Sequence, residues 1–368
     1  MKKKILFVAP NMEPGGAESV LVKILNNIDR SRYDIGLVLI QKKGSLLSKI
    51  SKEIRIIDLK SSRSITAIFK LKRIISKESP HVVFSIIGQV NIILAVLKFL
   101  FYRNIFFIGR ENVVHDEWLY KDITLKKRVI DIGYKLFLKK LDIIVVQSKF
   151  MKDQVLTLFK VPESKIIVLN NPIELNKINS LAIEKDLGRL WDWNKINIIA
   201  VGRIEKVKNY QDMVDIIAEL PKIFHLNIFG DGTERDELEN TVNYRRLKNR
   251  VTFHGYVENP YKYMSNSFVL LLTSTRESFP NVVLEANACG TYVISYKMPG
   301  GINEIIENGV NGSLLSIGSK DLMVSEILNL YKKGYNSNEI MKYVSKYSME
   351  NYINKIYEII DSGFEDIS

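Results

Sequence analysis

Short apolar runs recur along the 368 residues with longer helix-patterned segments between them, and this alternation constrains the fold more than any other feature. In the first half the runs are residues 5–9, 35–40, 54–59, 82–87, 105–108, 143–146 and 166–169. A strand buried on both faces reads as a continuous apolar run, and strands joined through helices pair in parallel. The series therefore predicts a parallel sheet covered by helices on both faces. A second series, 196–201, 226–229, 251–254, 268–272 and 292–295, predicts another such sheet. The length suits two domains, and 46% hydrophobic residues suffice for two cores. Asn170-Asn171-Pro172 follows the seventh run and marks a boundary. In the last helical segment, 349–360, Tyr352, Ile353, Ile356, Tyr357 and Ile360 form one apolar face that needs a partner.

Residues 274–290 carry the densest chemistry. Run 268–272 precedes them, and Pro280 and Gly290 bracket a helix, so the polar residues up to Phe279 lie on a strand-to-helix loop. Helix-start amides favour anionic oxygens, and open parallel sheets bind ligands outside their strand C-termini. Phosphate is the expected guest. Glu277 and Glu285 would repel it and suit neutral hydroxyl-rich groups, such as a sugar and a ribose. Taken alone, the pair reads equally well as a solvated loop acid and a surface helix residue.

Upstream, Gly202-Arg203 and Lys208 follow the strand ending at Val201 and open the helix from about Tyr210. Arginine grips a diphosphate through two parallel donors, and lysine adds a mobile point charge. Together they can stabilise negative charge on a bound diphosphate, although an Arg and a Lys on a loop are usually just solvated. Near the start, Pro14-Gly15-Gly16-Ala17-Glu18 precedes a helix through Asn27, and its glycines allow backbone amides to approach a ligand or merely make a turn.

The Glu277 to Glu285 spacing, the following Ala286-Asn287-Ala288-Cys289-Gly290 and then Gly300-Gly301-Ile302-Asn303-Glu304 resemble the signature of the retaining glycosyltransferases of family 4. Gly15-Gly16-Ala17-Glu18, Val201-Gly202-Arg203, Lys208-Asn209 and Phe229-Gly230-Asp231-Gly232 extend the likeness in the family's order. It departs at Asn287, where the family usually has Met, and at Tyr292, where Pro is usual; both concern packing.

The resemblance implies an α/β chain of GT-B fold, with two facing Rossmann-like domains. Residues 1–171 would form an acceptor domain, joined by a C-terminal helix 347–368 crossing back to it, and 172–346 a nucleotide-sugar domain. Glu277 would bind donor sugar hydroxyls, the amides of Phe279, Pro280, Asn281 and Val282 would line sugar and diphosphate, and Glu285 would hold the ribose. Gly15, Gly16, Gly202 and Gly230 would approach the donor, and the segment with Tyr256 would hold the base through its backbone. In the loop 109–116 a residue, often His, touches the transferred sugar; His115 fits, with Arg110 and Asn112 as alternatives. UDP is preferred on family frequency.

No Asp-x-Asp sequence and no His or Cys cluster of ligand spacing occurs, so neither a metal nor another cofactor is expected. Cys289 ends a helix without a paired base, which leaves no nucleophilic triad. The single cysteine also excludes a disulfide framework, and a start without a secretory leader suits a cytoplasmic protein. The longest apolar stretch, 90–108, is broken by Lys98 and Arg103, whereas a bilayer span needs about 20 mostly apolar residues.

Charge separates the halves. Residues 1–172 carry a net +16 and the remainder −4. Cations concentrate on helices 64–77, with Lys70, Lys72, Arg73 and Lys77, and 125–141, with Lys126, Lys127, Arg128, Lys135, Lys139 and Lys140. Such a half suits nucleic acid, an anionic membrane or a phosphorylated acceptor. Stacking aromatics on a shared strand face are not evident, which argues against nucleic acid. The expected partners are a nucleotide-sugar donor, a glycan or lipid-diphosphate-linked acceptor, and the anionic inner leaflet, held peripherally and salt-sensitively rather than by insertion. A GT-B nucleotide-sugar epimerase would not need the basic half. A non-catalytic membrane or nucleic-acid binder would not need Arg203, Lys208, Glu277 and Glu285 together.

Overall fold

The computed structural model describes residues 2–61, 64–115, 125–184, 186–188 and 191–365. They divide into two compact units, Met1–Pro172 with Met349–Ser368, and Ile173–Ser348.

In the first unit β1 (Lys3–Ala9), β2 (Tyr33–Leu39), β3 (Arg55–Asp58), β4 (Val82–Ser85), β5 (Phe106–Arg110), β6 (Ile143–Val146) and β7 (Ile166–Val168) form one parallel sheet, ordered β3-β2-β1-β4-β5-β6-β7. The intervening helices are α1 (Gly16–Asn27), α2 (Ser64–Glu78), α3 (Gly88–Phe101), α4 (Leu125–Phe137) and α5 (Lys149–Phe159). Side chains alternate along a strand, so β1 feeds two cores. Ile5, Phe7 and Ala9 join the α1 side, while Leu6 and Val8 join the side of α2, α3, α4 and α5.

In the second unit a short α6 (Leu175–Ala182) precedes β8 (Ile196–Val201), α7 (Tyr210–Glu219), β9 (Phe224–Phe229), α8 (Arg235–Tyr244), β10 (Val251–Gly255), α9 (Tyr261–Met264) and β11 (Val269–Leu272). There follow α10 (Asn281–Ala288), β12 (Tyr292–Tyr296), α11 (Ile302–Ile305), β13 (Gly312–Leu315), α12 (Lys320–Lys333) and α13 (Ser337–Tyr343). The sheet runs β10-β9-β8-β11-β12-β13, all parallel. Strand β13 is an addition to the sequence reading; it is short and begins with Gly312 and Ser313, so it lacks an apolar run. Each sheet grows in opposite directions from its centre, at β1/β4 and at β8/β11. Such switch points are where loops part to leave a ligand crevice.

The chain's last helix, α14 (Met349–Glu365), belongs to the first unit and packs Tyr352, Ile353, Ile356, Ile359 and Ile360 into the α1-side core, the return that the family resemblance implied. Its Asp361 accepts hydrogen bonds from Tyr33 Oη at 2.9 Å and Arg32 Nη2 at 2.8 Å. Counted by unit, α14 offsets part of the basic excess: the first unit carries a net +12 and the second is neutral. No helix among the described residues is long and apolar enough to cross a membrane.

The C-terminal end of α2 is tied to the sheet. Glu78 accepts both Arg55 terminal nitrogens, at 2.7 and 2.6 Å, and Lys4 Nζ at 3.3 Å. The Arg55 fork holds the Glu78 carboxyl well below the usual range, at about 2. A folded pKa below the unfolded one means this contribution is complete above about 4.5 and is lost as pH falls towards about 2. Glu78→Gln should cost on the order of 1 kcal/mol at pH 7, kept small by the solvent around Arg55. Calorimetric melting of both proteins should show the gap closing as the buffer is taken below pH 4.5; an undiminished gap would contradict the pairing.

Candidate active site

The second unit brings together three sequence motifs at the β8/β11 switch point. The loop after β11 is held from both sides. Towards the loop after β8, Thr273 Oγ1 donates to the carbonyl oxygens of Lys208 and Asn209, at 3.2 and 2.8 Å, and Thr275 N donates to Val207 O at 2.9 Å. Towards the loop after β12, Glu277 N donates to Pro299 O at 3.2 Å and Gly301 N to Ser278 O at 2.9 Å. Phe279 is buried against Tyr347, and Pro280 caps α10, as its fixed φ suits.

At the centre, Lys208 Nζ contacts Glu277 Oε1, and Ser274 Oγ donates to the same oxygen at 3.0 Å. Both charged side chains are largely buried, at 19% and 16% side-chain exposure, so this pair stands in a dry setting where charge interactions are strong. Arg203, by contrast, is three-quarters exposed and pairs at 2.7 Å with Glu205. It is the more exposed cation of the two. Asn209 adopts a left-handed conformation at the head of α7 and donates to Asp212 at 2.8 Å.

Two glycines make the loop approaches possible. Gly300 has φ +120°, and a Cβ there would overlap the Glu277 carbonyl oxygen; Gly230 has φ +137°, and a Cβ there would overlap that of Gly202. Gly202, in turn, accepts from Tyr210 Oη at 3.0 Å. Gly202 and Gly230 thus hold the β8 and β9 loops together.

Within α10, Asn281, Val282 and Glu285 are partly exposed. Glu285 lies near Tyr261 and Cys289: burial first, and then the Glu285 charge, pushes the Cys289 thiol up to about 12 and raises the Tyr261 hydroxyl. A thiol held neutral is a poor nucleophile. Tyr256, after β10, is 79% exposed. Asn287, at the position where the sequence departs from Met, is buried and exchanges hydrogen bonds with Asn311, tying α10 to the turn before β13.

In the first unit, Gly15 caps α1 beside Glu18, whose carboxyl burial raises, and Gly16 is exposed. Arg110 is the last residue of β5 and fully buried, its Nη2 on Asn171 Oδ1. Asn112 is partly buried. His115 is turned inward: its ring lies between Tyr134 and Phe159, with centroids 4.9 Å away, and its Nε2 is 3.3 Å from Glu111 Oε2. Gln154 brackets its backbone on both sides. Asp116, the end of the predicted loop, lies outside the described residues, as do the side chains of Lys126 and Lys127. Ser274, Thr273 and the buried Glu111 are the functional-looking side chains that the sequence reading did not assign. Ser274, three residues before Glu277 on one loop, carried a local signal; Glu111, buried beneath His115, carried none.

Comparison with known proteins places the chain. The family described as "Glycosyltransferase Family 4" matches residues 14–177, and "Glycosyl transferases group 1" matches residues 188–348, which together take in most of the chain. An N-acetylgalactosamine-N,N'-diacetylbacillosaminyl-diphospho-undecaprenol 4-alpha-N-acetylgalactosaminyltransferase of Campylobacter jejuni is 29% identical over 51% of this chain and 50% of its own. A lipopolysaccharide 1,6-galactosyltransferase of Escherichia coli is 26% identical over 55% and 57%. The match thus spans about half the length of these relatives. Among solved structures, Anabaena HepE in complex with UDP superposes with a TM-score of 0.82 at 20% identity, covering 98% of this chain and all of that one. The lipopolysaccharide outer core galactosyltransferase WaaB gives 0.77 at 19% identity, over 98% and 99%. These likenesses establish the GT-B fold.

Gly300→Ala tests the loop packing. It demands a strained backbone and a shift of the Glu277 carbonyl, so stability in urea should fall by at least about 2 kcal/mol. A change within about 0.5 kcal/mol, the usual range for surface substitutions, would contradict the packing described.

Proposed function

The chain belongs to glycosyltransferase family 4, and on that premise we propose that it is a retaining transferase moving a sugar from a nucleotide donor, UDP preferred, to a glycan acceptor carried on a lipid diphosphate. The observation that carries this reading is the joining of Lys208, Ser274 and Glu277 at the β8/β11 switch point, beside the head of α10. A buried cation suits a diphosphate, a hydrogen-bonded carboxylate suits sugar hydroxyls, and the helix start favours anionic oxygen. The UDP bound to HepE and the diphospho-undecaprenol acceptor named for the Campylobacter enzyme support the choice of donor and acceptor.

In this mechanism the donor displaces Lys208 from Glu277. Lys208 turns to the diphosphate and Arg203 swings in from solvent to join it. The bond from the anomeric carbon to the phosphate oxygen breaks, the acceptor oxygen attacks from the same face, and its proton passes to the departing phosphate. The two cations and the α10 amides stabilise the charge left on the nucleoside diphosphate, so no metal is assigned a part. Glu285 holds the ribose. Gly15, Gly16 and the residues around His115 are assigned to the first unit's part in binding, the acceptor with them. The enzyme would work at the inner face of the cytoplasmic membrane, held there by its basic first unit.

A panel of nucleotide sugars, followed by donor hydrolysis and transfer, tests the reading. Arg203→Ala and Lys208→Ala should each lose most turnover, on the order of 2.7 to 4 kcal/mol of barrier, as for the loss of one preorganised anion donor. Rates within a few-fold of wild type in both would refute the assignment.

The carboxylates should separate kinetically. A ribose contact is equal in ground and transition states, so Glu285→Gln should raise KM and weaken free UDP binding. Glu277→Gln should lower kcat and spare free UDP affinity. The reverse pattern in calorimetry and kinetics would exchange the two roles.

A further inference from the structure

Among the described residues, the first unit carries apolar side chains on the outer sides of α2, α3 and α4 that no core uses. Helix α4 is apolar on two opposite faces. Ile130, Tyr134 and Phe137 turn inward to the α3-side core, whereas Val129, Ile132 and Leu136, at helical spacing on the other side, are exposed. The end of α3 exposes Phe99, Leu100 and Phe101, and α2 exposes Phe69. Exposure reaches 71% at Phe69, 57% at Leu100 and 62% at Val129, far above what a scattered surface residue needs explained.

Contacts across the helices tie the end of α3 to its neighbours on either side. Lys72 Nζ of α2 sits 3.8 Å over the Phe101 ring, Phe99 meets Phe137 of α4 edge-on at 6.3 Å, and Lys140 Nζ sits 4.6 Å over Phe99. The rim is basic: Arg73, Arg103, Arg128, Lys135 and Lys139 are exposed around it, with Asp131 the acid among them, paired to Lys135. The positive charge of this rim complements the anionic headgroups of a bilayer surface. Interfacial helices combine aromatic and aliphatic side chains with Lys and Arg that reach anionic headgroups.

We propose that this surface inserts its apolar side chains into an anionic lipid bilayer, so that attachment has a salt-resistant apolar part beyond the electrostatic part expected from charge alone. It builds on the reading of a membrane-borne acceptor given above, and it would align the first unit's acceptor loops with the membrane. Cations capture the surface first; Val129, Ile132, Leu136, Phe99, Leu100, Phe101 and Phe69 then bury among headgroups and acyl chains.

Co-sedimentation of the full chain with phosphatidylcholine vesicles, with and without phosphatidylglycerol and with no donor or acceptor present, tests this. Binding should require the anionic lipid, and a large fraction should stay bound at about 0.5 M salt, where the Debye length is too short for surface attraction to hold it. Val129→Ser with Ile132→Ser and Leu136→Ser should lower the salt-resistant partition by about tenfold or more. Leu100→Ser with Phe101→Ser should act alike from a second helix, and both variants should melt as wild type does. Complete release of wild type by salt, or unaltered binding by both variants, overturns the proposal. So does elution of wild type as a dimer that the substitutions split, since a second copy would then cover the surface. Donor hydrolysis in vesicle-free buffer, measured in parallel, reports on the transferase reading separately.

Discussion

Lys208 and Glu277 are far apart in sequence, and they meet because β8 and β11 are neighbours at the point where the second sheet reverses its winding. Every other feature of the site follows from that adjacency. Loops after parallel strands all emerge on one edge, and at the reversal the helices before and behind the sheet diverge, leaving room between two loops. Thr273 and Thr275 then bind the β11 loop to the β8 loop, while Gly300 lets the β12 loop close against Glu277. A cation and a carboxylate are thereby held in a largely buried place before any substrate arrives. In the proposed mechanism the donor has to part this pair, so folding keeps the cation close to its target and binding turns it there.

Much of this was legible in the sequence because it depends on local signals. Short, mostly apolar runs marked both parallel sheets, and Pro280 and Gly290 marked the helix that carries Glu285. The unread parts depend on contacts between distant residues. Strand β13 is too short and too polar at its start to stand out, and it is held by pairing with β12. Arg110 looked like a loop residue because cations rarely end inside; only the fold supplies Asn171 to receive it. The lodging of His115 between Tyr134 and Phe159, beside Glu111, could not be inferred from spacing.

The charge pattern shows the same division. Basic helices in the first half were plain in composition, but a helical pattern alone does not say which apolar residues a core absorbs. With the fold in hand, α4 proves apolar on both sides, and among the described residues one side packs into the core while the other is exposed. The returning C-terminal segment adds a net −4 to the first unit, lowering its charge from +16 to +12, and the second unit is neutral.

Hydrogen–deuterium exchange on the full chain, with and without whichever nucleotide sugar binds from a panel, tests the central claim most directly. The account predicts protection in residues 202–209, 273–285 and 299–302 together, since the three loops share one set of contacts. Donor binding that protects other segments and leaves these unchanged, or no nucleotide sugar binding at all, would contradict it.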